Sequence, residues 1–306
     1  MAASESLKGR VAVVTGAGRG IGAAVARALA REGARVVVND LGVALDGTGS
    51  DEQPAEAVVA EIREAGGEAI AHFGNVADHD DARTLITTAV DQYGGLDVLV
   101  NVAGILRDRM IFNLDPADWD AVIAVHLRGT YNTTHFASRV WRERRAGGYR
   151  LINFTSSSGL FGAPGQPNYA AAKMGIVGFT YSCARALMRY GVTANAVAPS
   201  ADTRMIDSIP SERRQSVPGP DRSPDHVATL VAYLATPASG WLNGRVLGAR
   251  GPEYTLYSNP EPVRVLSGPG PWSVGDLGTG IERTFRTAVE GSPLFSPPRP
   301  AEEGRP

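Results

Sequence analysis

Lysine is almost missing from this chain: of 30 basic residues only Lys8 and Lys173 are lysines, and the rest are arginines. Wherever a bare positive charge suffices, the sequence uses arginine. A lysine kept against that bias reads as kept for its chemistry, a compact ammonium on a thin stem rather than a wide planar fork. Cysteine is as scarce. Cys183 stands alone, which excludes an internal disulfide and fits a reducing, cytoplasmic setting; inside a predicted helix it reads as a small buried residue. No stretch reaches the roughly 18 apolar residues of a membrane span. Charge of one sign is lacking too. The formal net charge is −2, which argues against nucleic acid or an anionic membrane as partner. The densest cluster, Arg142-Glu143-Arg144-Arg145, reads as a solvated helix end. Residues 1–6 carry neither the basic start nor the apolar core of a signal peptide, Gly304-Arg305-Pro306 is no peroxisomal address, and the expected location is the cytoplasm.

What the chain does have is an alternation. Its 306 residues, 43% of them apolar, suit one large domain or a domain with an appendage. Apolar, β-branched runs at 11–14, 35–39, 69–73, 97–101, 150–155, 192–198 and 245–248 predict strands. Helical patterns cover 21–32, 55–65, 80–93, roughly 117–146, 167–190 and 224–235. Alternating strands and helices predict an α/β fold with a doubly wound parallel sheet of about seven strands over residues 1–251. The strands are almost continuously apolar, as expected when helices cover both faces. Such a sheet places its ligands at the carboxyl ends of its strands. Two regions break the rhythm. The loop 41–53 is long and rich in Gly, Asp and Ser. Residues 252–306 form an irregular extension loaded with Pro and Gly, with extended stretches at 254–257 and 263–266. A helix follows near 280–290, and the end, 292–306, is expected to be disordered. Trp272 is the extension's expected anchor. No internal repeat is present.

Between the first strand and the first helix lies Thr15-Gly16-Ala17-Gly18-Arg19-Gly20-Ile21-Gly22. Glycines there let the backbone turn tightly and approach a pyrophosphate at the helix N-terminus. Asp40, ending the second strand, can accept both hydrogen bonds of an adenosine ribose and repels a 2′-phosphate, which argues for NAD over NADP. Arg19 pulls the other way, since a guanidinium could pair with that phosphate.

Lys173 stands four residues after Tyr169, on one helix face if the segment is helical. An ammonium beside a phenol is expected to favour the phenolate and lower its pKa from about 10. Ser156 lies upstream in Thr155-Ser156-Ser157-Ser158-Gly159. Ser, Tyr and Lys so arranged can move one proton to or from an alcohol oxygen. Ser157 and Ser158 are read as helix-capping residues.

Together with Asn101-Val102-Ala103-Gly104 and Asn195-x-x-x-Pro199, these motifs closely resemble the short-chain dehydrogenase/reductase family over about residues 8–250. Narrower signs are Asn39-Asp40-Leu41-Gly42, Ile105-Leu106-Arg107-Asp108-Arg109, Val125-His126-Leu127-Arg128-Gly129 and Pro199-x4-Arg204-Met205. They resemble the (3R)-hydroxyacyl-CoA dehydrogenase domain of the peroxisomal multifunctional enzyme type 2 and its bacterial single-domain relatives. The resemblance implies a Rossmann-type fold and an NAD(P)-dependent oxidoreductase acting on CH–OH groups. It implies Tyr169 as proton donor or acceptor, Lys173 as the group that lowers its pKa and holds the nicotinamide ribose, and Ser156 as the hydrogen-bond partner of the substrate oxygen. The implied cofactor set is Gly16, Arg19, Gly20, Ile21, Gly22, Asp40, Asn75, Val76, Asn101, Ala103, Gly104, Tyr169, Lys173, Pro199 and Thr203. No metal is expected.

Departures qualify the match. His126 stands where many members have Asn holding a water on the proton path, and two readings are open: a proton relay or a cap at a helix kink. Ser200 replaces the Gly that usually follows Pro199. Residues 200–223, with Arg204, Met205, Ile206, Ile209, Arg213 and Arg214, are the expected substrate lid. Its aliphatics suit an acyl chain or sterol face, and its arginines either meet coenzyme A phosphates or are simply solvated. The expected substrate is a 3-hydroxyacyl thioester. The alternatives are a hydroxysteroid or another bulky secondary alcohol, and, from another class, a nucleotide-binding regulator without turnover. A homodimer or homotetramer is implied by resemblance.

Overall fold

The computed structural model describes residues 5–44, 46–49, 51–201 and 221–290. Its centre is one sheet with strand order β3-β2-β1-β4-β5-β6-β7-β8. The strands are β1 (Val11–Thr15), β2 (Arg35–Asn39), β3 (Glu68–His72), β4 (Val98–Asn101), β5 (Tyr149–Phe154), β6 (Val192–Ser200), β7 (Val246–Arg250) and β8 (Glu253–Tyr257). The first seven run parallel. Among the described residues these seven are the parallel strands expected, and an eighth joins them at the edge. After β7 the chain reverses through a tight turn, and β8 pairs antiparallel from Val246↔Tyr257 to Arg250↔Glu253. An antiparallel neighbour needs only such a turn, whereas a parallel one needs a crossover. Residues 253–257, read above as part of the extension, thus continue the sheet.

Both faces are covered. Alternate side chains point to opposite sides of a strand. Ala12, Val14, Val36, Val38, Val98 and Val100 pack with α1 (Gly20–Arg31), α2 (Gln53–Glu64) and α8 (Pro224–Ala235). Val11, Val13, Val37, Leu99 and Leu151 pack with α3 (His79–Tyr93), α5 (Gly129–Arg144) and α7 (Pro167–Leu187). The expected long helical stretch 117–146 is broken. It consists of α4 (Pro116–Ile123), a π-helical segment at Ala124–Arg128, and α5. A short helix, α6 (Ser157–Phe161), follows β5.

The chain divides into two compact units, 1–258 and 259–306. In the second, the described part forms α9 (Val274–Glu290), longer than the helix expected at 280–290, and none of its residues is buried. Residues 263–266 form no strand. Trp272 remains 40% exposed rather than anchored; its ring lies over Gly268, where a Cβ would stand 2.6 Å away. The expected disorder of 292–306 and the lid residues Arg204, Met205, Ile206, Ile209, Arg213 and Arg214 lie outside the described residues.

Candidate active site

The strand order reverses between β1 and β4, and the crevice at such a switch point is where an open α/β sheet binds its ligand. A cavity of about 500 Å3 occupies that place. Gly16, Arg19, Gly20, Ile21, Gly22, Asp40, Asn75, Val76, Ala103, Gly104, His126, Tyr169, Lys173 and Pro199 line it, so the structure gathers these predicted residues around one space. Asn101 and Ser156 are not on its wall, and Thr203 lies outside the described residues.

The glycine-rich turn is built for close approach. Gly16 has φ +61°, and a Cβ there would stand 2.7 Å from the Ala103 Cα. Thr15 Oγ1 accepts from the N–H groups of Val102 at 3.1 Å and Ala103 at 3.2 Å, which holds the two cavity-lining turns together. Helix α1 opens at Gly20 with no side-chain cap on its first turn. An uncapped N-terminus beside a glycine turn suits a pyrophosphate anion, so these residues fit a dinucleotide. Asp40 is more committed than its sequence position suggested. Its Oδ2 accepts from Gly18 N–H at 2.7 Å and its Oδ1 from Gly42 N–H at 2.6 Å. Arg19 pairs with Asp51 at 3.5 Å.

Asn101 turns its side chain away from the cavity. Its Oδ1 accepts from Thr133 Oγ1 at 2.7 Å and its Nδ2 donates to Asn153 Oδ1 at 2.9 Å. Asn153 Nδ2 in turn donates to Thr180 Oγ1 at 2.9 Å. This buried network ties β4 and β5 to α5 and α7, and sets the floor of the crevice rather than its wall. Asn75 caps its own turn, its Oδ1 accepting from Ala77 N–H at 2.9 Å. Asn132 Nδ2 donates to the Val76 carbonyl at 3.0 Å.

Tyr169 and Lys173 share a face of α7, with Nζ 5.5 Å from the phenol ring centre. Lys173 Nζ donates to the Phe154 carbonyl at 2.9 Å. Ser156 is the N-cap of α6, its Oγ accepting from Ser158 N–H at 3.2 Å, so the capping role expected of Ser157 and Ser158 falls to Ser156. The electrostatics overturn the expected sign. Burial pushes the phenol up to about 12, against the lowering effect of Ser156, and the Asp108 carboxylate pushes it further up. Burial pushes the Lys173 ammonium down to about 7. Taking either charged form out of water outweighs their mutual attraction here.

His126 sits in the π-helical segment, edge-on to Tyr169 with ring centres 5.1 Å apart. Burial, then the neighbouring Lys173 charge, push its pKa down to about 3. The neutral ring places Nε2 2.8 Å from the Ile105 carbonyl and 3.1 Å from the Ile105 N–H. Nδ1 is buried and has no hydrogen-bond partner among the described residues. The wall also includes residues that were given no site role from the sequence: Val43, Ala44, Gly47 and Arg107. They come from the loop after β2 and the turn after β4, joined where Arg107 Nε donates to the Asp46 carbonyl at 2.9 Å. No local pattern marks that meeting.

Comparison with known proteins agrees with this geometry. The short chain dehydrogenase family model matches residues 10–214. The chain is 46% identical over 288 residues to hydroxyacyl-CoA dehydrogenase ChsB1 of Mycobacterium tuberculosis (strain ATCC 25618 / H37Rv), covering 91% of this chain and 89% of that protein. It is 37% identical over 281 residues to the peroxisomal multifunctional enzyme type 2 of Mus musculus, covering 86% of this chain but only 37% of that larger protein. A crystal structure of a short chain dehydrogenase from Mycobacterium avium superposes with a TM-score of 0.81 at 42% identity, covering 98% of this chain and all of that one.

Proposed function

The chain belongs to the short-chain dehydrogenase/reductase family, an oxidoreductase using a nicotinamide cofactor on CH–OH groups, and from that premise we propose that it is an NAD-dependent dehydrogenase of 3-hydroxyacyl thioesters. One observation carries the catalytic part: Tyr169, Lys173 and the glycine-rich turn line a single cavity, and Ser156 favours the Tyr169 phenolate against the burial that opposes it. The thioester part is supported by the similarity to a hydroxyacyl-CoA dehydrogenase along nearly the whole of both chains.

A nicotinamide dinucleotide supplies the hydride acceptor in oxidation, the hydride donor in reduction, and a positive charge when oxidised. Gly16, Gly20, Ile21 and Gly22 would hold its pyrophosphate, with Ala103, Gly104, Val76 and Pro199 along its length. Lys173 would hold the nicotinamide ribose. Asp40 supports NAD over NADP, because its negative charge at the end of β2 opposes a 2′-phosphate, while Arg19 is engaged by Asp51. In oxidation Tyr169 must act as the phenolate, whose Oη takes the hydroxyl proton and becomes the phenol while the hydride passes to the nicotinamide; in reduction the phenol returns that proton to the carbonyl oxygen and is left as the phenolate. Ser156 Oγ accepts the Ser158 N–H, which leaves its own O–H to donate to the substrate oxygen. Fixing that oxygen holds the reacting carbon at near-attack distance.

The same reading places the enzyme in the cytoplasm as a homodimer or homotetramer. The single cysteine supports the first. For the second, Tyr131 on α5 and Met174 on α7 offer apolar side chains that are 47% and 44% exposed. The test of substrate and cofactor is one panel: medium-chain (3R)-3-hydroxyacyl-CoA, a hydroxysteroid and a simple secondary alcohol, each with NAD+ and NADP+, followed by nicotinamide absorbance. Turnover is expected with the thioester and NAD+. Preference for the steroid, or for NADP+, overturns the corresponding half, and no turnover with any pair favours a nucleotide-binding regulator.

A further inference from the structure

A string of hydrogen bonds runs from the turn after β4 to the active-site serine. Gln166 Nε2 donates to Asp108 Oδ2 at 2.8 Å. Ser158 Oγ donates to Gln166 Oε1 at 2.8 Å. Ser158 N–H donates to Ser156 Oγ at 3.2 Å. Four segments meet here: the turn carrying Asp108, the residue before α7, the first turn of α6, and the end of β5.

The direction of the string follows from its first member. An ionised carboxylate only accepts, so it must face the amide NH2 of Gln166. That leaves Oε1 toward Ser158, whose hydroxyl is thereby committed as a donor to Gln166. Ser158 is held in place, its N–H occupies a lone pair of Ser156, and the Ser156 O–H is free to donate into the site. With an apolar side chain at 108 the amide could turn over, and Ser158 would lose its fixed acceptor.

We propose that Asp108 is a positioning residue for Ser156, acting through Gln166 and Ser158. The proposal rests on the reading of Ser156 and Tyr169 given above. The groups facing Tyr169 are Lys173 on its own helix, His126 on the π-helical segment, Ser156 at the end of β5, and Asp108 on the turn after β4. His126 stays neutral over the working range, with its pKa pushed down to about 3. Asp108 itself is raised by burial, against Gln166 and the adjacent Arg109, which lower it. Arg107 is occupied by Asp118 at 3.2 Å.

The test compares Asp108→Asn, Asp108→Leu, Gln166→Leu and Tyr169→Phe in the full chain, with (3R)-3-hydroxyhexanoyl-CoA and NAD+ across a range of pH. Asparagine keeps an oxygen for Gln166 while removing the charge. Its expected signature is a kcat close to wild type. Leucine at 108 or at 166 breaks the string. Each is expected to lower kcat about tenfold through misplacement of Ser156 with the NAD+ KM unchanged, and asparagine at 108 restores most of what leucine loses. Wild-type kcat in both leucine variants overturns the string. A loss at 108 that asparagine fails to restore, and that tracks a lower melting temperature, marks a purely structural role and overturns the proposal. Tyr169→Phe keeps the two readings apart: if it turns over normally the active-site assignment fails, whereas an inactive Tyr169→Phe beside unaffected leucine variants sinks only the string.

Discussion

His126 carries a proton balance that can be read from its surroundings. The unfolded chain binds a proton at this side chain near pH 6.5, while burial and the Lys173 charge hold the native value at about 3. Between those values the unfolded state holds a proton that the native state refuses, so stability falls as pH drops through that window, by up to a few kcal/mol. Replacing His126 with Asn removes that proton uptake. Denaturant unfolding across about pH 4–7 is expected to show a flatter loss of stability in His126→Asn than in the wild type; equal slopes would mean the ring is not buried neutral. Tyr169 and Lys173 teach a related lesson about legibility. Their pairing is written in the sequence, because a spacing of four is a helical neighbour. The sign of the phenol's shift is not, because it depends on how much water the folded cavity excludes. Asp108 and Gln166 were invisible for another reason: neither stands in a spacing pattern with Ser156, and only the packing of a turn against a helix start brings them together.

At the scale of elements, the π-helical segment needs a partner without a side chain. A Cβ on Gly104 would lie 2.2 Å from His126 Cε1, so Gly104→Ala must swing the imidazole off its Ile105 contacts or push the turn after β4. Overpacking of this kind costs about 1–3 kcal/mol. The expected outcome is a lower melting temperature together with a lower kcat, since the same turn lines the cavity; an unchanged enzyme would show that the ring has room to move. The alternation of strand and helix was legible because apolar runs and 3.6-residue periodicity are local signals. The π-helical segment was not, because one extra residue per turn leaves the hydrophobic pattern of 117–146 nearly intact. The extended character of 254–257 was legible, but its pairing with β7 was not, because an edge partner is fixed by a turn and not by composition. Asn101 was expected to line the cofactor: the motif named the residue, and its buried partners Thr133 and Asn153 decide where its side chain points.

For the whole molecule, the reversal of strand order at β1 and β4 sets where the cavity opens, and Asp40 after β2 is the residue proposed to discriminate between cofactors. The Asp40 carboxylate holds the Gly18 and Gly42 amides, and in the proposed function it also opposes a 2′-phosphate. Asp40→Ala is therefore expected to do two things at once. Two backbone donors lose their acceptor, each costing about 1–3 kcal/mol if left unpaired, and the ratio of NADP+ to NAD+ turnover rises. Measured stability and the two cofactor KM values check both; an unchanged cofactor ratio would move the discrimination elsewhere, Arg19 first.

A single phenol on α7 is asked to carry the proton in this enzyme. Tyr169→Phe removes one oxygen from the cavity and leaves the glycine-rich turn, Lys173 and the Asn101 network in place. Titration of the purified variant with NAD+, alongside turnover of (3R)-3-hydroxyhexanoyl-CoA, should give wild-type cofactor affinity and at least about a 10²-fold loss of kcat. Turnover close to wild type with the oxygen gone would contradict the assignment.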